Sequence, residues 1–138
     1  MTIKTPLLTV DCVIFLSKSV LLIERKNPPF QGGLALPGGF VDIGETVESA
    51  CLRELYEETN LKLEYRDITL VGIYSKPDRD PREHAVSVAY YATINNTDNL
   101  IAGDDALSVR FIDNWNREHL AFDHKTIVND AFNMSING

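Results

Sequence analysis

The chain reads as an α/β (α+β) protein, a sandwich in which helices cover a mixed β-sheet. Three observations carry this reading. Apolar, β-branched runs recur before and after a central segment. That segment, near residues 46–60, spaces its apolar residues as a helix does. A second helical pattern follows the last strand-like run, so the order is strands, helix, strands, helix.

The elements follow in order. Leu7 to Ser17 (LLTVDCVIFLS) and Val20 to Lys26 (VLLIERK) are aliphatic and β-branched. They flank the polar break Ser17-Lys18-Ser19, the pattern of a hairpin. Asn27 to Gly33 (NPPFQGG) is a loop by its Pro and Gly content. A short strand LALP, the pair Gly38-Gly39 and FVD come next. Thr46 stands where a helix N-cap belongs, and Glu48 in the first turn suits the helix dipole. Val47, Ala50, Cys51 and Leu55 then form one apolar face, and the helix is expected to end near Thr59 with Asn60 just beyond. Ile68 to Ser75, Ala85 to Ile94 and Ala106 to Asp113 are strands by alternation or β-branched content. Phe122, Ile127, Val128, Ala131 and Phe132 mark a last helix in FDHKTIVNDAFNMSI. No repeat, linker or low-complexity segment interrupts the chain, so residues 1–138 are expected to form a single domain.

A formal net charge of −7 argues against sequence-independent binding to nucleic acid or acidic membranes, which needs Lys and Arg against phosphates. It leaves room for an anionic small molecule where a metal ion stands between substrate and carboxylates. Cys12 and Cys51 are isolated, with no CxxC pair, as in a reduced, intracellular protein. PLLTVDCVIFL is broken by Asp11 and lacks a small-residue cleavage site, so it reads as a strand, not a signal peptide or a membrane span. A cytoplasmic location is expected.

Glu54, Glu57 and Glu58 lie together off the apolar face of the first helix. Like charges at i, i+3 and i+4 repel by roughly 0.2–0.5 kcal/mol per pair. A cation among them would offset that cost, and their oxygens suit Mg²⁺ or Mn²⁺. A solvated acidic helix face is the alternative, and a lone E-x-x-E-E would be read that way.

The surrounding residues favour the first reading. Gly39, Glu45, Arg53-Glu54-Leu55, Glu57-Glu58 and Leu61 stand at the spacings of the Nudix box, G-x5-E-x7-R-E-U-x-E-E-x-G-U with U aliphatic, and LPGG precedes them. The sequence, with its box at residues 39–61, resembles a Nudix hydrolase. Asn60 departs from the pattern, which has glycine there; after Gly, Asn best tolerates a left-handed backbone past a helix end. The resemblance implies an α/β/α sandwich with a mixed sheet. It implies that Glu54, Glu57 and Glu58 hold Mg²⁺ or Mn²⁺, with the Gly39 carbonyl completing the set. Arg53, paired with Glu45, would orient the glutamates. Glu57 and Glu58 would support attack of water on a pyrophosphate. For the general base the resemblance favours a carboxylate in the later loop AGDDA, Asp104 or Asp105, as base or added ligand, with Glu83 and Glu58 as alternatives. A plain turn is the other reading of that loop.

Tyr74 to Ala92 (YSKPDRDPREHAVSVAYYA), with Pro77 and its Pro-x-Arg-Asp-Pro-Arg run, is similar to the ADP-ribose pyrophosphatase branch of the family. LLIERKNPPFQGGLALPGGFVD, and GDDA followed by LAFDHKTIV, also resemble that branch. The implied reaction takes ADP-ribose to AMP and ribose 5-phosphate. An oxidised nucleoside triphosphate, a dinucleoside polyphosphate and a non-catalytic nucleotide-sensing module are the alternatives. Arg79 and Arg82 suit pyrophosphate or ribose, and an ordinary surface arginine is the other reading of each. Arg25 either reaches a phosphate or lies at a sheet edge. Phe122 either stacks on adenine or faces the core, and the core is favoured. His84, His119 and His124 lack metal-site spacing and read as surface or partly packed residues, with contact to substrate the alternative for His84 beside Arg82. The partner implied is a small-molecule nucleotide, not nucleic acid or membrane, and the branch suggests a homodimer.

Overall fold

Alternation along the first strand decides the architecture. In β1 (Leu7–Leu16), Val10, Cys12 and Ile14 pack with Ala50, Cys51 and Leu55 of helix α1 (Val47–Thr59). The intervening Val13 and Phe15 pack with Ile127, Val128 and Ala131 of helix α2 (His124–Asn137). Both faces of the strand are therefore covered, which explains its near-continuous apolar sequence. The computed structural model describes residues 2–97, 100–104 and 106–137. It shows an α/β/α sandwich of the expected class.

Seven strands among these residues form one mixed sheet. Besides β1 they are β2 (Ser19–Arg25), β3 (Leu34–Ala35), β4 (Gly38–Phe40), β5 (Thr69–Tyr74), β6 (Ala85–Ile94) and β7 (Ala106–Ile112). β1 runs parallel to β6 over its whole length, from Leu7 opposite Ala85 to Leu16 opposite Ile94. Its other side is shared: β4 pairs antiparallel with Thr9–Asp11, and β2 with Phe15 and Leu16. β2 also pairs with β3 and β7. The Ser17-Lys18 break thus does join a hairpin.

Helix α1 begins where its cap dictates: Thr46 Oγ1 accepts a hydrogen bond from Ser49 N–H at 3.1 Å. It ends on Asn60, at φ 63°, whose N–H donates to Tyr56 O. The left-handed conformation that glycine usually supplies is here adopted by Asn. Leu55 is fully buried between α1 and the sheet. Leu55→Ala is expected to cost about 2–5 kcal/mol in urea unfolding, because the lost transfer energy and the cavity add. A loss under 1 kcal/mol would mean that this layer of the core collapses around the gap.

Two 3₁₀ turns, Tyr65–Asp67 and Trp115–Arg117, have no counterpart in the sequence reading. The second carries Trp115 into the core under α2, against Phe132 at 5.8 Å between ring centroids.

Candidate active site

The site begins at the acidic face of α1, where the Arg53 guanidinium ties four carboxyl-bearing groups together. It donates to Glu45 through Nε at 2.7 Å and Nη2 at 2.8 Å. Nη1 donates to Glu54 at 2.8 Å and, more loosely, to Glu57 at 3.3 Å. Nη2 also donates to Phe40 O at 2.9 Å and lies 3.5 Å from Asp42, so the loop after β4 is held by the same group. Hydrogen bonds from Arg53 and the Asp42 amide hold the Glu45 carboxyl down to about 2. Burial raises the Glu54 carboxyl, and the Arg53 cation only partly offsets it. The Glu45 partnership raises the Arg53 guanidinium above its ordinary value, so this cation is permanent.

Two close approaches complete the face. A Cβ on Gly39 would lie 2.5 Å from Glu54 Cδ, so the β4 backbone presses on that carboxylate and a side chain there would push it aside. A Cβ on Gly103 would lie 2.2 Å from Glu57 O. That contact docks the 100–104 loop on the end of α1, with Ile101 N–H on Thr59 O at 2.9 Å and Gly103 N–H on Glu58 O at 2.8 Å. The loop satisfies carbonyls that the helix end leaves orphaned. It also carries Asp104 to a cavity shared with Glu54, Glu57, Glu58 and Gly103. Asp105 lies outside the described residues.

Among the described residues no three His, Cys, Asp or Glu side chains converge as a ready metal cage. Glu54 and Glu57 turn to Arg53, and Glu58 Oε2 accepts from Gly38 N–H at 3.2 Å. The chemistry of the set nonetheless fits a hard divalent cation: four carboxylates and a backbone border one cavity, and all donors are oxygen.

Glu58 also borders an adjoining cleft, lined among others by Gly38, Gly39, Arg25, Arg82 and Phe122. Phe122 is half-buried at the cleft, ahead of α2, at φ 55°. It packs against the core cluster of Ile23, Ala35, Ala106 and Ala121, as favoured from the sequence, and also lines the cleft. Guanidiniums flank its ring, Arg25 at 5.0 Å and Arg82 at 5.8 Å from the centroid. Arg25 Nε donates to Pro29 O, and Arg82 forms a two-pronged pair with Asp80 at 3.1 and 2.7 Å. Burial raises the Asp80 carboxyl, but Arg82 outweighs it and the net shift is downward. Phe30, also at positive φ, meets Phe122 edge-on at 4.9 Å. Two bulky residues in left-handed conformations, Phe122 lining the cleft and Phe30 packed on its ring, make a costly arrangement of the kind that gathers at ligand sites.

Arg79 behaves differently from its neighbour. It is not a surface arginine: its side chain is 4% exposed, and it lines the cleft from within. Its donors serve Asp123 at 2.9 and 2.7 Å, Asp11 at 3.4 Å and Ala85 O at 3.5 Å. His124 likewise departs from the expected surface or partly packed position, being 4% exposed beneath the cleft. The alternative base Glu83 borders a separate cavity with His84 and Lys4, not the one that Asp104 shares with the glutamates. His84 Nε2 bonds Ser75 O, and His119 is exposed.

Phe30, Asp11 and Asp123 were not singled out from the sequence as site residues. Only Asp11 carries a signal there, as the one charge inside an apolar strand: a buried aspartate demands partners.

Comparison with known proteins places the fold in a family. Residues 5–130 match the family profile of the NUDIX domain, and the chain belongs to the Nudix family. It is 48% identical over 125 residues to an ADP-ribose pyrophosphatase of Methanocaldococcus jannaschii, covering 91% of this chain and 72% of that protein. A MutT/nudix family protein from Enterococcus faecalis superposes with a TM-score of 0.90 at 36% identity, over 99% of this chain and 64% of that one. The NUDIX domain of Shewanella oneidensis NrtR, solved with ADP ribose, superposes at 0.87 and 33% identity, over 96% of this chain and 90% of that one. The chain therefore spans less than two thirds of the Enterococcus protein.

Proposed function

We propose that the protein is a divalent-metal-dependent Nudix pyrophosphatase that converts ADP-ribose to AMP and ribose 5-phosphate, acting as a single domain in the cytoplasm. The observation that carries this reading is that Glu58 borders both the acidic cavity and the arginine-lined cleft. A pyrophosphate placed across Glu58 has a carboxylate cluster at one end and Arg25 and Arg82 at the other. The similarity to the Methanocaldococcus pyrophosphatase supports the choice of substrate.

Glu54, Glu57 and Glu58, with the Gly39 carbonyl, would hold Mg²⁺ or Mn²⁺. When bound, such an ion polarises phosphoryl oxygens, acidifies water and neutralises the leaving phosphate. Water attacks one phosphorus, the bond from it to the bridging oxygen breaks, and a carboxylate takes the proton. Asp104 is the described later-loop residue beside the glutamates, and Asp105 follows it in sequence. Arg53 acts through the glutamates it orients. Arg25 and Arg82 bind phosphate or ribose oxygens and Phe122 receives the adenine, while Arg79 braces the cleft from beneath. Among the described residues no helix is long and apolar enough to cross a membrane. A small-molecule nucleotide partner and a homodimer belong to the same reading.

The test is a substrate panel with Mg²⁺: ADP-ribose, NADH, a diadenosine polyphosphate, GDP-mannose and 8-oxo-dGTP, with EDTA as blank. ADP-ribose is expected to lead by at least about tenfold in kcat/KM, or about 1.4 kcal/mol. A different leading substrate overturns the ADP-ribose reading. Tight binding without turnover would instead favour a sensing module, the second reading, which the ADP ribose complex of the Shewanella domain supports. Arg82→Ala should raise KM for ADP-ribose about tenfold with kcat within about twofold, because a residue that holds substrate equally in ground and transition states affects KM alone. An equal fall in kcat and kcat/KM would place Arg82 in the transition state instead.

A further inference from the structure

Beneath the cleft, His124 joins the start of α2 to the turn that brings Gly39 against the Glu54 carboxylate, which borders the acidic cavity. Leu36 N–H donates to His124 Nδ1 at 3.0 Å. Nδ1 therefore carries a lone pair, and the ring proton resides on Nε2, which points to Asp11 Oδ1 at 3.2 Å. Asp11 accepts from Ser87 Oγ at 2.5 Å as well, and Arg79 lies 3.4 Å away. These partners keep it an acceptor for the imidazole.

Leu36 sits between β3 and β4, is 2% exposed and makes this bond from its amide to a side chain 88 residues away. A buried N–H outside a ladder must find such an acceptor or stay unpaired. The next two residues are held by other groups: Pro37 O accepts from Cys12 N–H at 2.8 Å, and Gly38 N–H donates to Glu58 at 3.2 Å. Gly38 also stands opposite Asp11 in the sheet register, so Asp11 supports the turn from the sheet while His124 supports it from α2.

We propose that His124 is a positioning residue for the acidic site. As a neutral Nε2–H tautomer set by Asp11, it fixes the Leu36–Gly39 turn at the height at which Gly38 meets Glu58 and Gly39 meets Glu54. Its effect on turnover rests on the pyrophosphatase reading; its effect on the turn and on metal affinity does not.

Two substitutions separate the contacts. Asn places its amide oxygen where Nδ1 lies and can accept from Leu36 N–H. Gln places its amide nitrogen near Nε2 and keeps only the Asp11 contact. His124→Asn is expected to bind Mn²⁺, titrated by electron paramagnetic resonance, within about threefold of wild type. His124→Gln should bind it about 10- to 100-fold more weakly, the range for loss of a group that orients ligands. With ADP-ribose, His124→Gln should lose kcat by a similar factor with KM changed less than about threefold. ¹⁵N spectra of the wild-type protein at pH 7.5 should show the neutral Nε2–H ring. An Asn variant as weak as or weaker than Gln overturns the proposal, as does an imidazolium or Nδ1–H ring in wild type. If the wild type fails to turn over ADP-ribose, the functional reading falls, while the Mn²⁺ affinities and ring tautomer still judge His124.

Discussion

Glu58→Gln is expected to lower ADP-ribose turnover by at least about a hundredfold, or about 2.7 kcal/mol of transition-state stabilisation. Glu58 borders both the cavity proposed to hold the ion and the cleft proposed to hold the substrate. Gln preserves its shape and the acceptor for Gly38 N–H, so the turn should stay in place while the negative charge is lost. The effect should therefore appear in kcat and metal affinity together. Glu57→Gln should act in the same direction. Its side chain is 55% exposed and only loosely held by Arg53, which leaves the carboxylate able to turn toward an ion. A thermal readout provides an independent check, since a ligand that binds only the folded state raises Tm with its concentration. Wild-type protein should gain stability on titration with Mn²⁺, and Glu58→Gln should gain much less at the same concentration. Near-wild-type turnover in both variants would remove the glutamates from the reaction.

Arg79→Leu should be strongly destabilising, by about 3–5 kcal/mol. The Arg79 side chain is 4% exposed and neutralises Asp11, 9% exposed, and Asp123, 25% exposed. Removing it leaves an uncompensated anion in the core, and the partial exposure of Asp123 places the expected loss toward the lower end of that range. Burial alone would raise the Asp11 carboxyl, but His124, Ser87 and Arg79 outweigh it and hold it below the ordinary value. Such a group stabilises the fold above its unfolded pKa, and this contribution is lost as pH falls toward the folded pKa. Without Arg79 the loss begins at higher pH, so the acid-unfolding midpoint should rise relative to wild type. Combining Arg79→Leu with Asp11→Asn should recover part of the stability, because the second change removes the charge that the first one stranded. A loss under 1 kcal/mol for Arg79→Leu would show that water or a shifted partner satisfies Asp11.

The parts of this molecule that were legible in sequence are those set by short-range period and local chemistry. The apolar, β-branched run of Ala85–Ile94, the cap at Thr46 and the tolerance of Asn60 for a left-handed backbone each depend on residues within a turn or two. The spacing of Glu54, Glu57 and Glu58 on a helix belongs to the same category. What escaped depends on partners far along the chain. The sequence showed two arginines in one polar run, yet Arg82 pairs with Asp80 two residues away while Arg79 turns inward to Asp11 and Asp123. Nothing local distinguishes them, because the inward anion is supplied by a strand 68 residues distant. His124 lacked a signal for the same reason: its acceptor role is defined by a backbone amide, which has no side chain to read. Phe30 and Phe122 adopt conformations that propensity disfavours, so local rules point away from their meeting.

The long parallel pairing of β1 with β6 has a consequence for how the molecule comes into being on the ribosome. The Thr9 hydroxyl donates to the carbonyl of Val86, 77 residues downstream, and the whole of β1 waits for that strand on one side. Synthesis delivers the acidic helix early, but the 100–104 loop that closes its end and the histidine that holds the Leu36 amide emerge after it. Contacts this distant impose a large closure entropy before they return any stabilisation, which slows the final step. The nascent chain should therefore acquire the proposed metal affinity abruptly and late, once α2 has docked, and a half-made chain should carry its glutamates without the contacts that arrange them.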